Sequence, residues 1–146
     1  MKFQLTISPD CEESVHVTLK KKKDIATEIE RLCLEYSGTD KIAVYHNDEV
    51  QMLAFDEIAC LTVIDGKTYA VDIDGKQRLV KMRLYEIEQL LPTYFVRINK
   101  SAIANEKQIA KFKASFSGAV DVIFKCGHTD YVSRRCFSEI KRRYQL

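Results

Sequence analysis

The chain has 146 residues, of which 46% are hydrophobic and 30% are charged, as expected of one globular domain and not of a disordered segment. No stretch is apolar and long enough for a signal peptide or a membrane span, so a cytoplasmic location is predicted. The sequence lacks the GxxxxGK(S/T), GxGxxG and HExxH patterns, and no serine or cysteine stands in a nucleophile motif. We therefore do not expect an enzyme.

Basic residues are concentrated in the last third of the chain. Residues 97–146 contain eleven Lys and Arg against four Asp and Glu, a net charge of +7, which leaves −5 for residues 1–96. This asymmetry is typical of a surface that binds a polyanion. A solvated lysine-rich face would give the same count, so charge alone leaves both interpretations open.

Cysteine and histidine spacing argues against a metal site. The five cysteines lie far apart, and the three histidines are equally scattered. Without the close ligand pairs of structural zinc sites, this pattern predicts free thiols and no bound metal or cofactor. His128 is predicted to be a solvated hairpin residue. Asp72 and Asp74 could act as paired acid–base carboxylates, but they flank a glycine turn, where acidic residues are common for structural reasons.

The sequence pattern of residues 1–40 predicts a short α+β extension with a βαβ-like order of elements. Alternating apolar residues predict strands over 2–7 and 14–20. Asp24 is placed as the N-cap of a helix that ends near Ser37-Gly38, with an apolar stripe formed by Ile25, Ile29, Leu32 and Tyr36. The lysine run 20–23 could bind phosphate, although a solvated strand end is favoured. The unit is too short for a sensor domain, so we expect a dimer interface, packing on the remainder, or contact with a regulatory or membrane-protein partner, without membrane insertion.

Residues 41–146 predict a second unit built mainly of strands. Between eight and ten short strands are separated by turn signals at Asn47-Asp48, Asp65-Gly66, Asp74-Gly75 and Ser117-Gly118. A short helix stops at Pro92, a helical turn is predicted over 101–105, and an amphipathic helix closes the chain. Strands at this density indicate a sandwich or a barrel. The three consecutive helices of a helix-turn-helix reader are not predicted.

Two groups of polar and basic residues stand where predicted strands end. Arg97, Asn99, Lys100 and Ser101 form the first group, and Ser133, Arg134 and Arg135 form the second. Arginine, lysine and asparagine make the common direct contacts to base edges, whereas serine and the amides at a helix start bind phosphate. Ser133 could equally be the N-cap of the closing helix, and a capped helix start is itself an anion site.

The first group belongs to a longer pattern, F-x-R-x-x-x-S-x-x-x-N, formed by Phe95, Arg97, Ser101 and Asn105. The segment 84–92 fits the helix that precedes it, Ile109 leads a new strand, and residues 132–135 precede the closing helix. In this order and spacing, residues 41–143 resemble the LytTR family of DNA-binding domains. The direct junction with a short N-terminal unit resembles the standalone subgroup, which has no receiver domain.

The resemblance implies a mainly β fold, an elongated antiparallel β-sandwich of short sheets, that reads double-stranded DNA through loops. Carried over by position, the base-reading residues are Lys67, Thr68, Asn99, Lys100 and Arg135. The residues that the resemblance implies for phosphate contacts or for support of the loops are Arg97, Ser101, Ser133 and Arg134. Many family members have a histidine in these loops where this chain has Thr68 or Asn99-Lys100, which leaves the base preference, and whether Lys100 meets a base or a phosphate, open.

We therefore expect a sequence-specific transcriptional regulator that reads repeated half-sites as a homodimer. A β-barrel module for RNA or single strands is the main alternative, but its aromatic platforms would have to be exposed. Phe95, Phe112, Phe116, Phe124 and Tyr131 are instead predicted to point mostly into the core. An adaptor whose basic face meets an acidic protein is the third interpretation.

Overall fold

A computed structural model describes residues 1–21, 23–114 and 118–145. The predicted lysine run 20–23 and the predicted Ser117-Gly118 turn each include a residue outside the described ones. None of the described helices is both long and apolar enough to cross a membrane.

The N-terminal unit contains one helix and no strand among its described residues. Residues 1–21 have no regular secondary structure, so the strands predicted over 2–7 and 14–20 are wrong. An alternating pattern forms a strand only when it finds a partner, and Phe3, Leu5 and Ile7 remain exposed. The predicted helix is confirmed as α1 (Asp24–Ser37), with Lys23 and not Asp24 as its N-cap. Gly38 ends it at φ 72°, donating its N–H to the Glu35 carbonyl at 3.1 Å.

Seven antiparallel strands form the large sheet. Their order across it is β2-β1-β5-β4-β3-β7-β6, and a short helix, α2 (Leu84–Glu88), connects β5 to β6. The strands are β1 (Lys41–His46), β2 (Glu49–Ala54), β3 (Ile58–Ile64), β4 (Lys67–Asp72), β5 (Gln77–Val80), β6 (Phe95–Asn99) and β7 (Ala102–Asn105).

A smaller sheet lies against the large one. It contains β8 (Ile109–Ala114), β9 (Val120–Phe124) and β10 (Thr129–Val132), and the chain continues into α3 (Arg134–Tyr144). The described residues thus contain ten strands, which confirms the prediction of a mainly β, antiparallel fold.

The helical turn predicted over 101–105 is wrong. Ala102–Asn105 is the strand β7, which pairs with β6 on one side and with β3 on the other. All of its residues are buried, so two neighbouring strands determine its conformation and override its local preference. Asn105, the last residue of the strand, donates from Nδ2 to the Ile58 carbonyl at 2.8 Å and accepts from the Lys107 N–H at 3.0 Å.

The large sheet is covered on both faces. One core packs Ile58, Leu61 and Ile103 against α2, and the other packs Cys60, Val71 and Ile98 against the small sheet and α3. Because successive side chains of a strand point to opposite faces, β3 contributes to both cores, and its first five residues are buried. This central strand fixes the position of its neighbours β4 and β7, and with them the turns at their ends.

The two Asp-Gly turn signals behave as predicted. Asp65 and Gly66 have φ of 50° and 74° in the tight turn between β3 and β4. In the turn between β4 and β5, the Asp72 carboxylate accepts from the Asp74 and Lys76 N–H groups at 2.9 Å each. It also pairs with Arg78 at 3.3 Å. Asp72 therefore holds a turn, as the structural interpretation predicts.

Candidate nucleic-acid interface

Two turns lie side by side at one end of the large sheet. Thr62 of β3 pairs with Ala102 of β7, and the Val63 N–H donates to the Ser101 carbonyl at 2.9 Å. The Asp65-Gly66 turn and the Lys100-Ser101 turn consequently emerge from neighbouring strands, which are about 4.8 Å apart in a sheet.

The start of α3 joins the same end. The Ser133 N–H donates to the Ile98 carbonyl of β6 at 2.9 Å, and Asn99 Nδ2 donates to the Tyr131 carbonyl of β10 at 2.8 Å. We call this region, made of the 65–66 turn, the 100–101 turn and the first turn of α3, the basic end. A groove of about 620 Å³ lies there, lined by Arg97, Lys100, Tyr131, Ser133 and Arg135 among others.

Lys67, Lys100 and Arg135 present their charges to solvent at the basic end. Lys67 and Lys100 are exposed, and the Arg135 side chain is 91% exposed. Arg135 reaches Glu139 only at 4.0 Å, and an exposed pair at that distance holds the arginine weakly. Each of these side chains is therefore free to reorient toward an anionic ligand.

The other two predicted base-reading residues, Thr68 and Asn99, are buried. Thr68 is the second residue of β4, where its partners are Val63 and Val80. Neighbouring residues of a strand point to opposite faces, so the face that exposes Lys67 turns Thr68 inward. Thr68 and Asn99 are 6% and 2% exposed, so their side chains are far less accessible than those of Lys67, Lys100 and Arg135.

Asn99 instead holds the 100–101 turn in place. Its side-chain oxygen Oδ1 accepts from the Ser101 N–H at 2.8 Å. Its amide donates to the Tyr131 carbonyl at 2.8 Å and to the Asp130 carboxylate at 3.2 Å. Asn99 is only 2% exposed, and its hydrogen bonds join the turn to the small sheet.

Arg97 braces the same turn from the other side. Its guanidinium donates to the Lys100 carbonyl at 3.1 Å and forms an ion pair with the Glu88 carboxylate of α2. Ser101 is half-buried. Its backbone carbonyl accepts from the Val63 N–H, and its backbone N–H donates to the Asn99 side chain. The backbone around Lys100 is therefore fixed on both sides while the Lys100 side chain stays exposed.

The first turn of α3 combines a cap with adjacent arginines. Ser133 Oγ accepts from the Cys136 N–H at 3.2 Å, which is the N-cap interpretation. Arg134 Nε donates to the Gly118 carbonyl at 3.3 Å, so Arg134 lies against Gly118, just before β9. A helix start carries partial positive charge, and the arginines add to it.

Sequence reasoning missed two contributors, Tyr131 and Asp130. The alternating pattern assigned Tyr131 to the core, but it is 44% exposed and lines the groove. Phe95 and Phe124 are buried as expected, Phe112 is half-buried, and Phe116 lies outside the described residues. Asp130 receives the Asn99 amide, a contact between distant segments that local patterns do not contain.

Comparison with known proteins finds similarity to DNA-binding domains and transcriptional regulators. The family profile described as the LytTr DNA-binding domain matches residues 48–145. The chain is similar to two uncharacterized HTH-type transcriptional regulators of Staphylococcus aureus, strains NCTC 8325 / PS 47 and COL, at 29% identity over 100% of this chain and 99% of each relative. A solved LytTr DNA-binding domain, from a methyl-accepting/DNA response regulator of Bacillus cereus, superposes with a TM-score of 0.67 at 22% identity, over 73% of this chain and 98% of that one.

The fold differs from what the name of the Staphylococcus relatives suggests. A helix-turn-helix needs helices that follow one another along the chain. In the described part of this chain, strands separate α1 from α2 and α2 from α3. The basic surface is accordingly made by turns and by one helix start.

We expect the variant Asn99→Ala to destabilise the fold by about 1–3 kcal/mol, because it removes part-buried hydrogen bonds to the Ser101 N–H, the Tyr131 carbonyl and the Asp130 carboxylate. The Ser101 amide should also exchange with solvent faster. Chemical denaturation and amide exchange measure these effects. The exposed neighbour supplies the control, since Lys100→Ala should change the unfolding free energy by less than about 0.5 kcal/mol. Equal small effects of both variants would contradict the assigned role of Asn99.

Proposed function

The chain belongs to the LytTR family of DNA-binding domains, and from this premise we propose that it is a transcriptional regulator that binds double-stranded DNA sequence-specifically through its basic end. The observation that carries the proposal is the convergence of Lys67, Lys100 and Arg135 on one end of the molecule. Because the proposed ligand is genomic DNA, we propose the cytoplasm as the place of action.

The shape of the basic end is better suited to binding a DNA duplex than to binding a flat anionic surface. Turns and helix starts project as narrow elements, and the major groove, about 12 Å wide, admits elements of this size. The backbone of the 100–101 turn is braced by Arg97 and Asn99, so little ordering is needed on binding. A rigid turn with a free lysine at its tip is suited to reach into a groove.

We assign direct readout to Arg135, Lys100 and Lys67, whose side chains are exposed. Arginine and lysine donate to the guanine edge in the major groove. Arg134, Ser133 and the first turn of α3 are assigned to the phosphate backbone, because a helix start favours anions. Arg97, Asn99, Ser101 and Thr68 support the loops and do not read bases.

Recognition of repeated half-sites requires two copies of the basic end. A symmetric dimer is the usual way in which a small DNA-binding module gains affinity and half-site spacing. Residues 1–40 supply apolar surface for it, since they leave Phe3, Leu5, Ile7, Leu32 and Tyr36 exposed. The Staphylococcus relatives align along the entire chain, so the alignment includes this unit. We propose that residues 1–40 form the dimer interface.

The variant Arg135→Ala is expected to weaken binding to a selected duplex by about 1–3 kcal/mol and to relax preference at one base position. Arg134→Ala should weaken binding to all duplexes similarly. Fluorescence anisotropy with a set of singly substituted duplexes distinguishes these outcomes. Lys125→Ala is the matched control, because Lys125 is exposed at the far end of β9 and should not affect binding.

Equal, sequence-independent losses in both arginine variants would show that Arg135 reads no base. The same assay separates the alternative functions. Preference for RNA or a single strand over the duplex would favour stacking on Tyr131. A steep salt dependence, with a slope of about −0.9 per phosphate contact, supports DNA binding, whereas a flat response favours an acidic protein partner.

Sedimentation equilibrium tests the dimer. The wild-type chain is expected to be dimeric at micromolar concentration, and Leu32→Glu, which places a charge on the exposed apolar surface of α1, should shift it to monomer. The control is Val50→Glu on β2, because Val50 is also exposed and apolar but lies outside residues 1–40. A monomeric wild type, or a dimer that both variants leave intact, would contradict the proposed interface.

A further inference from the structure

A mixed cluster of donor atoms lies where the two sheets meet. Cys60 Sγ, a ring nitrogen of His128 and a carboxylate oxygen of Asp130 all lie within 4.8 Å of one another. Cys60 is fully buried on β3 of the large sheet, while His128 precedes and Asp130 belongs to β10 of the small sheet. Distant segments of the chain thus bring three kinds of metal-binding side chain together.

His128 is not the solvated hairpin residue that the sequence predicts. Its ring packs against that of Phe124, with centroids 5.6 Å apart and the planes tilted by 35°, and its Nε2 atom is inaccessible to solvent. Within the described part of the chain, Nε2 has no hydrogen-bond partner. Leaving a buried polar atom without a partner is unfavourable, so this nitrogen is an unsatisfied donor or acceptor that points to a ligand.

Asp130 is held in a fixed orientation. Its Oδ1 atom accepts from the Asn99 amide at 3.2 Å and from the Tyr131 N–H at 2.8 Å. Hydrogen bonds of this kind orient the carboxylates and imidazoles that ligate metals. The same Asn99 side chain that holds the 100–101 turn therefore also orients one member of the cluster.

A second thiol lies in the neighbouring turn, outside the group of three. Cys126 is half-buried in the turn between β9 and β10 and packs against the same core as Cys60. Cys126 is not one of the three donors that lie within 4.8 Å of one another, so its thiol would have to move toward them to ligate. Zinc takes four ligands in structural sites and commonly combines sulfur with nitrogen.

We propose that Cys60, His128 and Asp130, with Cys126 as the fourth donor, bind a zinc-class divalent cation. Thiolate and imidazole donors select such borderline-soft ions over magnesium and calcium, which prefer oxygen. Binding draws the donors in to about 2.0–2.3 Å from the ion. The coordinating thiols lose their protons to solvent as the ion enters.

Two features explain why the sequence analysis predicts no metal. Cys60 lies far along the chain from the other donors, and Cys126 and His128 are separated by one residue, a spacing outside the usual zinc patterns. Only the packing of β3 against the β9–β10 hairpin creates the site. A bound ion would link these elements directly and stabilise the contact between the two sheets.

Cobalt titration of the reduced and chelator-treated 146-residue chain tests the site without DNA, so its outcome is independent of the proposed function. One equivalent of cobalt should produce thiolate-to-cobalt charge-transfer bands and tetrahedral ligand-field bands, and zinc should abolish both. Cys60→Ala and His128→Asn should each lose or strongly weaken these bands. Cys33→Ala and His46→Asn, which change residues outside the cluster, should retain them.

Zinc should also raise the melting temperature of the wild type and not that of His128→Asn. If the ligand variants fail to fold, cadmium NMR of the wild-type protein decides, because its chemical shift distinguishes thiolate and nitrogen ligands from oxygen alone. Absence of cobalt bands in the wild type, bands that persist in both ligand variants, or an all-oxygen cadmium shift would each overturn the proposal.

Discussion

The hydrogen bonds of Asn99 are the constraint on which the basic end depends. One side chain fixes the Lys100-Ser101 turn and ties it to β10 across the junction of the two sheets. Together with the bond from the Ser133 N–H to the Ile98 carbonyl, this connection fixes the turn relative to the start of α3. The burial of Asn99 shields its hydrogen bonds from water, so they contribute more than exposed ones would. The exposed basic side chains are therefore carried by a backbone that buried hydrogen bonds hold in place.

The central position of β3 gives this constraint its support. Because β3 is buried on both faces, it can shift along its neighbours only by moving side chains of both cores at once. Its pairing with β4 and β7 determines that Lys67 and Lys100 emerge at the same end. Cys60 of the same strand faces the small sheet, so the proposed metal site and the basic end share one scaffold.

Local patterns predicted the elements whose conformation depends on local chemistry. The Asp65-Gly66 turn, the Ser133 cap and α1 follow from residues close in sequence. The predictions failed where pairing with another strand determines the conformation of a segment. Residues 2–7 alternate but have no strand beside them, and Ala102–Asn105 has two.

The same distinction applies to the site. The motif located the segment 97–101, but only packing separates the buried Asn99 from the exposed Lys100. The most direct test of the account is a titration of the isotope-labelled protein with a selected duplex, followed by amide NMR. The amides of residues 65–67, 100–101 and 133–136 should shift most, and those of the β4–β5 turn at the opposite end of β4 should stay unchanged. Shifts centred on residues 73–76 would contradict it.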